Sequence, residues 1–274
     1  MKPAYSINVN GRLLTMERPL VMGIANVTPD SFYAASRVSG DALVAHCRRM
    51  LEEGADIIDV GACSTRPSGE FVPEEEELAR LHVALELLNR EFPDAVLSVD
   101  TFRAKVAREC VKEHAVAMVN DVSGFDWDAG MLDAVAELNV PYVLTHTKGV
   151  AGDEPSYSDF IPEVFEALSR KMWQLRQRGV KDVIVDPGFG FGKSLQQNYR
   201  LMSLLEEFSV FEAPLLVGVS RKSMITKLLG NTPAEALNGT TVLNTVALMK
   251  GADVLRVHDV RAAAEVVRIV SECL

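Results

Sequence analysis

The feature that most constrains the fold is a repeated alternation of short apolar runs with longer amphipathic stretches along the chain. The apolar runs are nearly continuous, which is typical of parallel strands that are buried on both faces. They recur about eight times, and the predicted strands cover residues 20–27, 56–61, 96–100, 118–122, 141–146, 182–186, 214–220 and 254–259. The pattern therefore predicts a succession of strand-and-helix units.

The stretches between the strands have the spacing of helices that bury one face. Their apolar residues recur every three or four positions, namely Leu78, Leu81, Leu85 and Leu88 in one stretch and Val164, Leu168, Met172 and Leu175 in another. The first of these stretches begins at Pro73 and continues with four glutamates, which favour the positive end of a helix. We expect a helix after each strand.

The N-terminal residues predict a different element. Residues 5–9 and 12–16 flank Asn10-Gly11, the dipeptide that best tolerates a tight hairpin turn. For the remainder, a doubly wound open sheet competes with a closed barrel, but such a sheet usually carries a glycine-rich phosphate loop after its first strand, where this chain reads NVTPDSF. We therefore predict a single-domain (β/α)8 TIM barrel over residues 1–274 with an N-terminal β-hairpin.

Composition excludes several classes of function. The net charge of -10 opposes nucleic-acid binding, and no cluster of lysine and arginine supplies a local basic stripe. The sequence has neither a long uncharged apolar segment nor the pattern of a signal peptide at its start, so we expect a cytoplasmic protein away from the membrane. Four scattered cysteines without CxxC pairs predict reduced thiols rather than a zinc site or disulfides.

Polar residues stand where each predicted strand stops. In a (β/α)8 barrel these ends meet on one face, which is where such enzymes place their active sites. Taken alone, Asp59 is more typical of a residue that caps the following helix or turn. The whole set predicts a shared site and consists of Asn26, Asp59, Asp100, Asn120, Asp121, His146, Asp186, Ser220, Lys222, Arg256 and His258.

Two of the next three motifs each leave two readings open. Arg256 and His258 are two positions apart, so both side chains point to the same side of the last strand. They form either an anion-binding site or an arginine beside a buried histidine. The segment Ser220-Arg-Lys-Ser starts a helix. Either the free N–H groups of this helix start bind a carboxylate, or Ser220 caps the helix. The glycines after Asp186 fail the P-loop pattern and predict a bend that exposes Phe189.

Taken together, the motifs resemble those of the dihydropteroate synthases. The segments occur in the family's order from about residue 21 to residue 260, as MGIANVTPDSF, GADIIDVGACSTRP, SVDT, NDVSG, DPGFGFGK, VGVSRKS and RVHDV. The resemblance implies a transferase of folate biosynthesis and sulfonamide target that joins 6-hydroxymethyl-7,8-dihydropterin diphosphate to para-aminobenzoate with the help of Mg2+. It also implies a homodimer.

The resemblance further implies roles for individual residues. The pterin is expected to bind Asp100, Asn120, Asp186, Lys222 and Arg256; the diphosphate Asn26, Arg66, Arg256 and His258, with Asn26 on the metal; and para-aminobenzoate Thr65, Pro67, Phe189, Lys222 and Ser223. The catalytic set drawn from these is Asn26, Arg66, Asp100, Asp186, Lys222, Arg256 and His258. Loops 28–36 and 63–69 are expected to close over the site and exclude water.

Three positions depart from the family's wording. Ala34 replaces a loop aspartate, Cys63 replaces the acid before STRP, and Thr145-His146-Thr147 replaces Met-His-Met. They keep a catalytically weakened pterin-binding protein open as an alternative. A pterin-dependent methyltransferase that serves a corrinoid protein is the second alternative, although SRKS and RVHDV suit an anionic leaving group that methyl transfer lacks.

Overall fold

The computed structural model describes residues 4–27, 37–63, 72–147 and 160–273. The strands in these ranges are β1 Ser6–Val9, β2 Arg12–Thr15, β3 Leu20–Asn26, β4 Ile57–Gly61, β5 Val96–Asp100, β6 Met118–Asp121, β7 Tyr142–Thr145, β8 Val183–Asp186, β9 Leu216–Val217 and β10 Val254–Val257. The α-helices are α1 Arg37–Glu52, α2 Glu74–Glu91, α3 Ala104–His114, α4 Met131–Leu138, α5 Phe160–Gln177, α6 Leu195–Ser203, α7 Ser223–Leu229, α8 Leu237–Met249 and α9 Val260–Ser271. Short 3-10 helices cover Leu205–Phe211 and Pro233–Glu235.

Eight parallel strands form one sheet in the order β8-β7-β6-β5-β4-β3-β10-β9. A bridge between Val185 and Leu215, together with the hydrogen bond from the Val185 N–H to the Pro214 carbonyl at 2.8 Å, joins the two end strands. The sheet therefore closes on itself, with a helix after nearly every strand, and the prediction of a TIM barrel is confirmed.

The predicted hairpin is also present, and it lies at the end of the barrel where the strands begin. β1 and β2 pair antiparallel around Asn10 and Gly11, which both have positive φ, of 52° and 79°. The Asn8 N–H donates to Asp182 at 2.9 Å, just before β8. Buried Ile7 and Val9 join the interior of the barrel, so the hairpin covers this end and leaves the opposite end for a site.

Side-chain alternation divides the apolar residues into two layers. One set of strand residues faces the helices, and the predicted helical faces of α2 and α5 are buried against it, as expected. The other set fills the interior and includes Met22, Ile57, Met118, Val143, Ile184, Leu216 and Val254. Because side chains on a strand alternate, the residue two positions after each interior residue also points inward, closer to the open end.

The predicted strands agree with the observed ones to within a few residues, except for β9. The prediction covered residues 214–220, but the regular strand is only Leu216–Val217. The Lys222 N–H donates to the Val219 carbonyl at 3.2 Å, so the chain has already turned before Ser220 can join the ladder. Among the described residues, none of the helices combines the length and apolar character needed to cross a bilayer.

Candidate active site

The open end of the barrel carries polar side chains at the inward positions just above the apolar interior. Asp59, Asn120, Asp186 and Arg256 each lie two residues after an interior residue of the same strand. Asp100, the last residue of β5, pairs with Asn120 of β6 in register. These side chains come from five different strands, and the barrel brings them to one rim as the sequence predicted.

Arg256 is the centre of a buried ionic network. Its Nε donates to Asp59 Oδ2 at 2.7 Å and its Nη2 donates to Asp100 Oδ2 at 2.5 Å. Asn120 Nδ2 donates to the same Asp59 oxygen at 2.8 Å. The network therefore ties four strands together and fixes the plane of the guanidinium group at the barrel mouth.

Asp59 does not cap a helix or turn, so the reading that it is a local cap is wrong. It lies within β4, it is 0% exposed, and it pairs with an arginine 197 positions later in the chain. The two strands lie near each other because β4 and β10 both pair with β3 in the sheet. Asp59 is therefore a site residue to which the family resemblance assigned no role.

Opposite this network, the turn after β8 joins Asp186 to Lys222. The Gly188 N–H donates to Asp186 Oδ1 at 2.7 Å. Lys222 Nζ donates to the Phe189 carbonyl at 2.5 Å and lies 4.6 Å from the centre of the Phe191 ring. The turn thereby holds an acid and an amine on neighbouring parts of the rim.

The side-chain amine of Lys193 supports the shape of this turn. Its Nζ donates to the carbonyl oxygens of Gly188, His146 and Phe191 at 2.7, 2.9 and 3.2 Å. A side chain at Gly188, where φ is +72°, would overlap the His146 carbonyl oxygen, so the turn requires glycine there. Lys193 ends the glycine-rich motif, but no local pattern in the sequence predicted its role.

The segment after β9 is tied to the end of β10. Ser220 Oγ lies 3.0 Å from His258 Nδ1 and accepts the His258 N–H at 3.2 Å. Arg221 binds both oxygens of Asp259 at 2.8 Å. Helix α7 has Lys222 at its N-cap without a side-chain cap, so Ser220 serves this link and not helix capping.

Burial shifts the ionisation of the site. It raises the pKa of Asp100 to about 7 against the opposing charge of Arg256, and it raises the pKa of Asp186 against that of Lys222. Burial also lowers the pKa of Lys222 to about 8, partly offset by Asp186. For Arg256 burial acts to lower the pKa, but the carboxylates of Asp59 and Asp100 raise it overall. Such displaced values are typical of functional sites.

Three buried polar atoms at this rim have no hydrogen-bond partner within the described part of the chain. They are Asp59 Oδ1, Asp100 Oδ1 and Thr145 Oγ1. Buried polar groups of folded proteins are normally paired, because an unpaired one costs about 1–3 kcal/mol. Their clustering beside Arg256 and Asp186 is typical of a site that a polar ligand completes.

Some of the other predicted residues lie at the rim, in the core or outside the described residues. Asn26 ends β3, and its Oδ1 lies 3.4 Å from the position that a Cβ on Gly61 would take. Phe189 is 0% exposed, so the prediction that the bend exposes it is wrong: the turn folds the ring back into the core between strands and helices. Ala34, Thr65, Arg66 and Pro67 lie outside the described residues, as does most of both predicted closing loops.

Comparison with known proteins identifies the family to which the chain belongs. The family model of pterin binding enzymes matches residues 22–258. Dihydropteroate synthase of Escherichia coli K12 is 41% identical over 271 residues, covering 96% of this chain and 95% of its own length. The corresponding protein of Bacillus subtilis is 38% identical and covers 94% of this chain and 90% of its own.

Solved structures are equally similar. A dihydropteroate synthase of Xanthomonas albilineans with 4-aminobenzoic acid superimposes with a TM-score of 0.91 at 40% identity, covering 99% of this chain and 98% of its own. The enzyme from the same organism in complex with 7,8-dihydropteroate gives a TM-score of 0.87 at 38% identity, with 98% of both chains covered.

The barrel and its rim define a pterin-binding enzyme. Within that class, the chain belongs to the dihydropteroate synthase family. The resemblance of the motifs is thereby confirmed, and the comparisons favour this reading over a corrinoid methyltransferase.

Proposed function

We propose that this chain condenses 6-hydroxymethyl-7,8-dihydropterin diphosphate with para-aminobenzoate to give 7,8-dihydropteroate and diphosphate. The observation that carries the proposal is the convergence of two polar groups on one rim: Arg256 with Asp59, Asp100 and Asn120, and Asp186 with Lys222. Relatives of known structure bind 4-aminobenzoic acid and 7,8-dihydropteroate, the second substrate and the product of this reaction.

The pterin fits the buried half of the rim. Hydrogen-bond donors and acceptors alternate along its edge. The carboxylates of Asp100 and Asp186 and the amide of Asn120 can form hydrogen bonds with them. Lys222 supplies a donor to the ring, and the planar guanidinium of Arg256 lies flat against a heterocycle. Because Asp100, Asn120 and Asp186 are buried, an analogue without the matching edge leaves them unpaired and binds weakly.

The diphosphate is assigned to the outer part of the rim. His258, which follows β10 and contacts Ser220, is proposed to bind this group together with Arg256. Arg66 is expected to join them from the loop after β4. Positive groups placed here stabilise the charge that develops on the leaving diphosphate.

The residues present fit a Mg2+ ion that arrives with the diphosphate. A Cβ on Gly61 would lie 3.4 Å from Asn26 Oδ1 and 3.5 Å from Asp100 Oδ2, so two oxygens approach one side-chain-free point of the rim. Among the described residues there is no group of three His, Cys, Asp or Glu side chains placed to hold a metal. One amide oxygen beside substrate phosphates is the arrangement that Mg2+ commonly accepts. Bound there, the ion would neutralise part of the diphosphate charge.

Para-aminobenzoate is assigned to the side of Lys222 and Ser223. The start of α7 presents free backbone N–H groups to a carboxylate, while Phe189 lies in the core directly behind the turn that contacts Lys222. Thr65 and Pro67 are proposed to complete this pocket from the loop after β4. The aromatic amine then points at the pterin methylene.

The reaction breaks the bond between the pterin methylene carbon and the diphosphate oxygen and forms a bond from that carbon to the amine nitrogen. The electron pair of the broken bond leaves with diphosphate, and the amine nitrogen loses one proton after attack. The chain's residues orient the ring, hold the leaving group and keep water from the carbon. Asn26, Arg66, Asp100, Asp186, Lys222, Arg256 and His258 are the proposed catalytic set.

The test supplies purified protein with both substrates and Mg2+ and follows diphosphate and dihydropteroate together. We expect equal amounts of the two products, and a loss of turnover of at least about a hundredfold in Asp186→Ala and Lys222→Ala while both variants stay folded. Unchanged rates in these variants would contradict the pterin pocket. Tight pterin binding by the wild type without any turnover would favour the catalytically weakened protein that Ala34 and Cys63 left open.

We further propose that the chain forms a single domain and that two chains associate as a homodimer. Neighbouring helices α7 and α8 expose the apolar side chains of Leu228, Leu229, Val242 and Met249, each more than half exposed. Sedimentation should give twice the chain mass of 30.0 kDa.

All four cysteines are free thiols, which supports the cytoplasm as the site of action.

A further inference from the structure

The hydroxyl of Thr145 is a buried polar group that the fold does not use. Thr145 is the last residue of β7 and is 0% exposed. Its Oγ1 has no hydrogen-bond partner among the residues that the structure describes. Where the dihydropteroate synthase motif has methionine, this chain therefore places a hydroxyl that lacks a partner.

The position of Thr145 points its side chain into the barrel mouth. Val143, two residues earlier on β7, belongs to the interior cluster, and alternation places Thr145 on the same inward face. Thr145 pairs in register with Asp186 on one side. On the other side Asn120 pairs with Val143 and so lies diagonal to Thr145.

The neighbours of Thr145 are thus two of the groups assigned to the edge of the pterin. A threonine hydroxyl both donates and accepts a hydrogen bond, so it suits an edge on which donors and acceptors alternate. An apolar side chain of equal size would fill the same space without an unpaired atom. The hydroxyl consequently costs stability in the free protein, and a ligand that pairs with it recovers that cost.

We propose that the Thr145 hydroxyl hydrogen-bonds the edge of the bound pterin next to Asp186 and is a specificity-determining contact of this chain. The inference rests on the proposed function, because it names a contact within the same pocket. It assigns to Thr145 a direct role in binding and no role in the departure of diphosphate.

The test measures pterin affinity and the stability of the free protein, because loss of a binding hydroxyl should lower the affinity and raise the stability. In Thr145→Val, which keeps the shape and removes the hydroxyl, the dissociation constant of 6-hydroxymethyl-7,8-dihydropterin diphosphate with Mg2+ should rise about tenfold. The melting temperature of the ligand-free variant should rise by about 2 °C, since an unpaired buried group is gone. The KM for para-aminobenzoate should stay unchanged.

Two further variants serve as controls. Thr145→Ser keeps the hydroxyl and should bind the pterin diphosphate within about threefold of the wild type. Ser98 also has a buried hydroxyl without a partner in the described structure, but it pairs with Met118 of the interior and lies one inward position deeper than Asp100. Ser98→Ala should therefore raise the melting temperature of the free protein without changing pterin binding.

The outcomes separate this inference from the proposed function. If the wild type fails to bind the pterin diphosphate, the proposed function fails and the inference with it. If the wild type binds and turns over while Thr145→Val binds equally well, the inference alone is overturned. A lower melting temperature together with weaker binding in Thr145→Val would also overturn it, because the hydroxyl would then support the folded structure.

Discussion

At the scale of single residues, Arg256 depends on two carboxylates that come from different strands. Asp59 holds its Nε and Asp100 holds its Nη2, and Asp59 also accepts the Asn120 amide. A buried guanidinium with one of these partners removed keeps its cost of desolvation and loses part of its compensation. We therefore propose that Asp59 influences pterin binding through the position of Arg256.

Asp59→Asn tests this dependence, because it keeps the shape of the side chain and removes its charge. We expect the free energy of unfolding to fall by about 3 kcal/mol and kcat/KM for the pterin substrate to fall about a hundredfold. Urea denaturation and initial rates give the two quantities. Asp94→Asn, at an exposed position after α2, is the matched control and should change neither; equal behaviour of both variants would remove the role assigned to Asp59.

Lys222 gives a prediction for the pH dependence of the reaction. Its pKa is lowered to about 8 by burial, so the amine carries its proton below that pH and loses it above. If the protonated amine is the form that donates to the pterin, kcat/KM should fall as pH rises through about 8. Lys222→Arg keeps its charge at every accessible pH, so the decline on the basic side should disappear even if the absolute rate is lower. A decline that persists unchanged in this variant would assign it to another group.

The rim residues were predictable from the sequence. The surroundings of residues whose partners are distant in the chain were not. The end of a strand is visible in local apolar patterning, which is why Asp100, Asn120 and Asp186 were predicted. The partner of Asp59 lies 197 positions away, so local rules favoured a helix cap. Phe189 was expected at the surface because glycines surround it, yet the turn that they form packs the ring inward.

At the scale of elements, the turn between β8 and α6 is shaped by one buried amine. Lys193 donates to three carbonyl oxygens, and the same turn offers the Phe189 carbonyl to Lys222 and the Gly188 N–H to Asp186. The positions of both site residues therefore depend on a lysine that bonds the backbone of the turn.

Lys193→Met replaces this amine by a side chain of similar length without donors. Three carbonyl oxygens then lose their shared donor, and we expect the free energy of unfolding to fall by about 3 kcal/mol. Turnover by the folded variant should fall at least about tenfold, because Asp186 and Lys222 lose their common support. Lys181→Met, on the exposed side before β8, should leave stability and rate near those of the wild type. A stable and fully active Lys193→Met would show that the turn holds its shape without this lysine.

At the scale of the whole molecule, the order of elements follows from the periodicity of the sequence. Eight buried runs with helices between them leave few arrangements other than a closed barrel, since parallel strands need long crossovers and right-handed connections. The hairpin was predictable from Asn10-Gly11 and the segments that flank it, but its position under the barrel depends on contacts such as that of Asn8 with Asp182. Such contacts between distant segments have no local signal.

We propose that one end of the barrel, and not the other, binds the pterin diphosphate. Equilibrium binding of this substrate to single variants distinguishes the two ends. Asp186→Asn and Arg256→Met change the open end, whereas Asp182→Asn changes the end beneath the hairpin, directly before the same strand β8. We predict dissociation constants at least about tenfold higher for the first two variants and an unchanged value for the third. Equal affinity in all three, or weaker binding only in Asp182→Asn, would contradict the account.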